Sequence, residues 1–270
     1  MTDARAEIGI FGGSGFYSFL DDASEVELTT PFGAPSAPLM VGELAGRTVA
    51  FLPRHGRRHQ FAPHAIPARA NLWAMRALGV HTVIGPCAAG SLSVPVEPGH
   101  FVVVDQLVDR TWGRPDTFYD AGATHHVTFA DPYCPVVRDA AVAAARATAV
   151  TVHERGTIVV INGPRFSTRA ESRWYRAQGW EVIGMTQYPE VALARELGLH
   201  YAGIALITDY DTGVEDDSGI EPVSHEQVLA VFDANLERMR QVLTTLVPTL
   251  PAPPTGCACA QAVGPLHPYE

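Results

Sequence analysis

Short apolar runs rich in Val and Ile alternate along the chain with stretches whose apolar positions recur every three to four residues. The runs predict strands at Ile8 to Phe11, Thr48 to Leu52, His81 to Ile84, Phe101 to Asp105, Thr157 to Ile161, Trp180 to Ile183 and Tyr201 to Ile207. They lack the polar alternation of a half-solvated sheet and read as strands buried on both faces. The helical period predicts helices at Pro67 to Leu78, Pro135 to Ala147, Arg169 to Gln178, Pro189 to Leu197 and Ser224 to Leu246. Gly79, Gly179 and Gly198 follow three of them, where glycine accepts the left-handed backbone that ends a helix. In the last helix Val228, Phe232, Leu236, Met239, Leu243 and Leu246 form one core-facing stripe, and Ser224 with Gln227 reads as a capping box. The alternation predicts an α/β fold: a single domain over residues 1–250, with a mixed central β-sheet flanked by helices. From Pro248 onward there are six prolines and one charged residue, Glu270, so residues 251–270 read as a Pro-rich tail.

Composition narrows the chemistry. Apolar residues are 47% and charged residues 18% of the 270, as in a compact globular protein. All 19 basic residues are arginine, which excludes Schiff-base, pyridoxal-phosphate, P-loop and kinase-type lysine chemistry. A net charge of −10 argues against general nucleic-acid binding, so an anion needs a local pocket. No run approaches the roughly 18 apolar residues of a membrane helix, and Met1 to Arg5 does not open a secretory signal. Four cysteines in a chain of this size do not suggest a disulfide framework, and the expected compartment is the cytoplasm. Cys257-Ala258-Cys259 is a weak metal signal without further ligands at regular spacing, and no metal is expected.

Candidate chemistry clusters at predicted strand ends. Gly12-Gly13-Ser14-Gly15 could converge backbone N–H groups and a hydroxyl on an anion, or could be a tight turn. Arg54-His55-Gly56-Arg57-Arg58-His59 is the one dense basic cluster, suited to phosphate oxygens or else a solvated loop. Gly85-Pro86-Cys87-Ala88-Ala89-Gly90-Ser91, after the strand ending at Ile84, lets a ligand approach the backbone. Cys87 has no evident partner for nucleophilic work and reads better as a small buried residue. Phe166 could stack on a flat ring, Met185 could pack a sugar and Thr186 could bind an anion. Asp209 and Asp211 would share one side of an extended chain, suiting proton handling or a metal, unless they only cap a turn.

Taken together, the segments resemble the methylthioadenosine phosphorylase branch of the trimeric purine nucleoside phosphorylases. The likeness runs through Ile8 to Gly15, Arg54-His55-Gly56, Asp105 to Thr111, Gly163 to Ser172, Met185-Thr186 and Thr208 to Asp211, covering roughly residues 7 to 247. It implies a phosphorylase/nucleosidase-like fold and phosphorolysis of a purine nucleoside to free base and a ribose 1-phosphate. By this similarity Ser14, Arg54, His55, Cys87, the Ala88 N–H and Thr186 would hold phosphate. Phe166, Ser167, Met185 and His225 would line the nucleoside, and Asp209 and Asp211 would face the purine's N7 and 6-position as the catalytic pair. The resemblance also implies a homotrimer, with His126 reaching into a neighbour's site, and inorganic phosphate as co-substrate without metal or organic cofactor.

The acid pair suits adenine, since a 6-amino group donates hydrogen bonds to carboxylates; 6-oxopurine members of the family carry Asn where Asp209 stands. S-methyl-5′-thioadenosine is therefore the first expected substrate and adenosine the second. Two residues depart from the methylthio pattern. Cys87 stands where that branch usually has Thr, and His225 stands where it has an apolar valine against the methylthio group. A general purine nucleoside phosphorylase, accepting inosine or guanosine, uses histidine there to bond a 5′-hydroxyl. A nucleosidase would not need the phosphate set, and a non-catalytic nucleoside binder would not need the acid pair.

Overall fold

The computed structural model describes residues 4–12, 20–120, 124–212, 214 and 225–263, with the side chains of His225, Gln227 and Leu229 left aside. The described residues form one eleven-stranded sheet with five α-helices. The strands are β1 (Ile8–Gly12), β2 (Asp21–Val26), β3 (Leu39–Leu44), β4 (Arg47–Pro53), β5 (Thr82–Ser91), β6 (Phe101–Val103), β7 (Gln106–Arg110), β8 (Val152–His153), β9 (Thr157–Ile161), β10 (Val182–Gly184) and β11 (His200–Tyr210). The helices are α1 (Ala68–Ala77), α2 (Pro135–Arg146), α3 (Arg169–Ala177), α4 (Gln187–Glu196) and α5 (His225–Leu246). Neighbours run β2-β3-β4-β1-β5-β10-β9-β7, while β11 pairs β5 and β6, and β6 pairs β8.

The sheet is mixed, as expected. β1 is parallel to β4 and β5, β11 is parallel to β5, and β10 is antiparallel to β5 but parallel to β9. Successive residues of the central strands feed opposite cores. Val83, Ala205 and Ile207 join α1 and α4 on one face; Ile84, Ile204 and Leu206 join α2 and α5 on the other. Met239, Val242, Leu243 and Leu246 of α5 are buried, each worth about 1.5–3 kcal/mol relative to exposure. Gly79, Gly179 and Gly198 all have positive φ (90°, 79° and 68°) and end their helices as the pattern requires. The capping box at Ser224 lies outside the described residues. One is present at the start of α3, where Thr168 and Glu171 bond each other's backbone N–H.

Three of the four strands that patterning missed, β2, β3 and β8, have identifiable reasons. β2 is an exposed, acidic edge strand, and β8 has only two residues. β3 and β4 are joined by Ala45-Gly46, both at positive φ, a two-residue turn without the usual Asn-Gly signature. β5 also corrects the expectation that its strand stops at Ile84: it continues through Pro86 to Ser91, because β11 pairs it along its whole length.

Candidate active site

The extension of β5 organises the site. β11 occupies one edge of β5 throughout. On the other edge β1 pairs only as far as Ile10 against Ile84, and β10 begins at Ile183 against Gly90. Between these pairings no described strand pairs residues 85–89 on that edge, and the carbonyls of Gly85 and Pro86 meet side chains. The Gln187 amide donates to Gly85 O at 2.9 Å and Arg54 Nη1 donates to Pro86 O at 2.9 Å. Ala88 is the one residue of β5 that is not fully buried. Because β10 is antiparallel to β5, the chain leaving it at Gly184 runs back along that edge and brings Met185, Thr186 and Gln187 to it.

Arg54 enters from the end of β4 and is 5% exposed. Its Nε and Nη2 donate to Glu190 Oε1 and Oε2 at 2.5 and 3.0 Å, a bidentate buried pair. Tyr201 Oη donates to Glu190 Oε2 at 2.7 Å, and the guanidinium lies 4.9 Å over the Phe11 ring. Burial alone would lower the Arg54 pKa; the charge and hydrogen bonds of Glu190 more than reverse that and hold it above its ordinary value. Of five guanidinium N–H groups, these bonds engage three, which leaves two for an anion. Gly85 is glycine for a local reason: a Cβ there would meet Tyr201 Oη at 1.9 Å.

His55 is half-buried, and its Nδ1 lies 2.8 Å from Phe61 O, which can only accept. Nδ1 therefore carries the hydrogen and Nε2 is left as an acceptor. Burial pushes the ring pKa down to about 4, with Arg54 and the stacked His59 adding to the shift, so the imidazole is neutral. A neutral ring with a bare Nε2 suits the P–OH of hydrogen phosphate. Thr186 is at the N-cap of α4 but its side chain does not cap that helix. Its hydroxyl and the helix N-terminus are compatible with an anion. Cys87 is buried, receives Gln187 Nε2 at 3.5 Å, and is pushed by burial to a pKa of about 11. It stays a thiol and is not a nucleophile.

The acid pair lies further along. Asp209 is partly buried near the end of β11, and Thr208 Oγ1 donates to its Oδ2 at 2.7 Å. Burial, reinforced by the neighbouring Asp211 charge, raises its pKa to about 6 against the Thr208 bond. Gly90 makes room for it, since a Cβ there would approach Asp209 Oδ1 to 2.9 Å. Asp211 is 3% exposed; burial raises its pKa too, opposed by the Ser172 hydroxyl, and its Oδ2 is buried without a hydrogen-bond partner. Ala88 and Gly90 are two residues apart, about 7 Å along a strand. That is the scale of a sugar ring bridging an anion at one end and a base at the other.

Ser167 is buried; its hydroxyl, like that of Ser172, faces the Asp211 carboxyl and opposes the upward shift there, and its carbonyl receives Thr212 Oγ1 at 3.3 Å, which ties the Phe166–Ser167 loop to the end of the Asp209–Asp211 segment. Phe166 is 37% exposed, and Met185 packs against the small buried cluster that includes Tyr175 and Ile183. His126 is exposed on an irregular segment. Ser14 and the His225 side chain lie outside the described residues. Sequence reasoning missed Glu190, Tyr201, Gln187 and Arg114. Arg114 is 8% exposed and donates to the carbonyls of Ile161, Asn162, Met185 and Tyr188, holding together the ends of β9 and β10. Its only signal is an arginine between Gly113 and Pro115; Glu190 and Tyr201 have none, because each reads as an ordinary helix or strand residue.

Comparison with known proteins adds to this geometry. Residues 7–248 match the model of the phosphorylase superfamily. The chain is similar to a purine nucleoside phosphorylase of Streptomyces coelicolor, 54% identical across 98% of this chain and 96% of the relative. It is similar to an S-methyl-5′-thioadenosine phosphorylase of Mycolicibacterium smegmatis, 49% identical across 97% of this chain and 98% of the relative. Among solved structures it is similar to a methylthioadenosine phosphorylase from Schistosoma mansoni in complex with adenine, with TM-score 0.85 and 37% identity, covering 90% of this chain and 91% of that one.

Proposed function

We propose that this chain, which belongs to the phosphorylase superfamily and within it to the methylthioadenosine phosphorylase branch, cleaves S-methyl-5′-thioadenosine with inorganic phosphate. It is a pentosyltransferase. A phosphate oxygen bonds to C1′ as the C1′–N9 bond breaks, and the products are adenine and 5-methylthioribose 1-phosphate with inverted anomeric configuration. Positive charge develops on the ribose ring and negative charge on the departing purine. A phosphate dianion beneath the sugar stabilises the first, and a proton delivered to N7 neutralises the second.

The observation that carries the reading is Asp209: an acid with its pKa raised to about 6, beside Gly90 and two residues along β5 from the partly open Ala88. An ordinary surface aspartate would be ionised at neutral pH and a poor proton donor; this one keeps a protonated fraction. Asp211, with its unpartnered Oδ2, accepts from the 6-amino group. Arg54, His55, Thr186, the Ala88 N–H and Ser14 hold phosphate, with Glu190 orienting the guanidinium. Cys87 contributes only a weak thiol donor. Phe166, Ser167 and Met185 contact base and ribose.

In this reading the chemical step uses phosphate as co-substrate and no metal or organic cofactor. The enzyme is a cytoplasmic homotrimer in which His126 of one subunit completes a neighbour's site. The exposure of His126 supports that role, and no described helix is long and apolar enough to cross a membrane.

A broader purine nucleoside phosphorylase activity is the second reading, favoured by the name of the Streptomyces relative and by the histidine at position 225. The test is base release from methylthioadenosine, adenosine and inosine, with and without phosphate. Phosphate-dependent adenine release, with methylthioadenosine preferred by kcat/KM, is expected. Comparable turnover of inosine would favour the broader reading. Release without phosphate, or no release, would overturn phosphorolysis.

A further inference from the structure

At the opposite end of β11 from Asp209, three of the four cysteines meet a histidine. Cys134 is fully buried at the N-cap of α2, and its backbone N–H donates to Tyr201 O at 2.8 Å. That bond sets it beside His200, the first residue of β11. Cys257 and Cys259 arrive from the tail beyond α5. Cys134 Sγ lies 3.7 Å from Cys257 Sγ and 3.5 Å from His200 Nδ1, and Cys257 Sγ lies 3.2 Å from the same nitrogen. The ligand atoms of all four residues lie within 4.8 Å of one another.

We propose that Cys134, His200, Cys257 and Cys259 form a structural zinc site that fastens the C-terminal tail to the body of the protein. Tetrahedral zinc has bonds of about 2.3 Å to sulfur and 2.0–2.1 Å to nitrogen, which puts ligand atoms about 3.5–3.8 Å apart along the edges of the tetrahedron. The Cys134–Cys257 and Cys134–His200 separations match those edges, and the Cys257–His200 separation is within a few tenths of an ångström. The donor set, three soft sulfurs and an imidazole, is that of closed structural zinc sites.

The surroundings fit the charge. Zn²⁺ displaces three thiol protons and leaves a site of net charge −1. Arg195, 6% exposed, directs Nη1 to Cys259 Sγ at 3.7 Å and Nη2 to the carbonyls of Asp131 and Pro132 just before Cys134. One cation therefore both balances the site and braces the loop that carries a ligand. The tail segment fits as well. Cys259 opens a short 3-10 turn, Cys259–Ala262, whose last residue is buried, and Ala262 O lies 3.0 Å from His125 Nε2. The Cys-Ala-Cys signal was weak in the sequence because its other two ligands are about 57 and 123 residues away in the chain.

The test uses the full chain, purified reduced and without chelator or an immobilised-metal column. Elemental analysis should find about one zinc per chain, as a closed structural site requires. The Cys257→Ser/Cys259→Ser double variant, altered only in the tail, should carry background zinc. Stripping the wild type with a chelator should lower its Tm, and added Zn²⁺ should restore it; the double variant should not respond. Co²⁺ added to stripped wild type should give the intense visible bands of tetrahedral thiolate coordination. Metal-free protein as purified, together with no Tm gain from Zn²⁺ and no Co²⁺ bands, would overturn the proposal. Peptide mapping that finds these cysteines joined as disulfides in protein kept under reductant would overturn it too.

Discussion

Glu190→Gln should be both a stability and a phosphate-affinity variant. Glu190 is 1% exposed and its two oxygens take Arg54 Nε, Arg54 Nη2 and Tyr201 Oη. The amide keeps the shape but removes the charge, and it turns one acceptor into an NH₂ facing guanidinium or phenol donors. Arg54 is then a buried cation without a counter-ion. Removing one partner of a buried pair costs about 3–5 kcal/mol, because the other charge remains desolvated. For a chain of this size each kcal/mol moves Tm by about 2–4 °C, so the expected drop is about 6–20 °C at fixed chain concentration. Tyr201→Phe removes a single hydrogen bond to a charged group and should cost less, about 1.5–3 kcal/mol. The double variant should fall short of the sum, because both changes disrupt one network. Phosphate gives the assay its specificity. A dianion beside Arg54 replaces the lost charge, so saturating phosphate should recover more Tm in Glu190→Gln than in the wild type. The phosphate KM should rise more than the nucleoside KM, because the unbraced guanidinium no longer presents its two open N–H groups. Differential scanning calorimetry with and without phosphate, beside steady-state kinetics in both substrates, would read these effects. A Tm within 2 °C of wild type, or an unchanged phosphate KM, would refute the reasoning.

Two further outcomes are expected. Asp209→Asn should lower kcat/KM for adenine nucleosides by roughly 10²-fold or more and abolish a falling limb of the wild-type profile near pH 6. Its stability should move the other way. The folded-state pKa of Asp209 lies above its unfolded value, so the folded form binds more protons and ionisation weakens the fold as pH rises from about 3.8 through 6; the variant should therefore gain on wild type above that window, and a wild-type rate or a pH-independent stability difference would sink the assignment. His225→Val should shift preference from adenosine toward methylthioadenosine, and an unchanged ratio of kcat/KM values would show that this residue does not read the 5′ group.

Periodicity alone determined the class of fold and most of its parts, since the buried strands and the helices closed by Gly79, Gly179 and Gly198 write their solvent exposure into the order of residue types. It also marked Arg54, His55, Thr186 and the two aspartates, because small, basic or acidic residues at strand ends are locally unusual. The edge strand β2, the Ala45-Gly46 hairpin and the run of β5 to Ser91 were set by pairing with distant strands, which no short window contains. The same limit hid Glu190 behind Arg54, Tyr201 over Gly85 and Arg114 beneath two strand ends. It likewise hid the meeting of Cys134 and His200 with the tail cysteines. Residue type states what a side chain can donate, accept or ligate; only burial and closure of the chain decide which partner it meets and which charge it holds when it does.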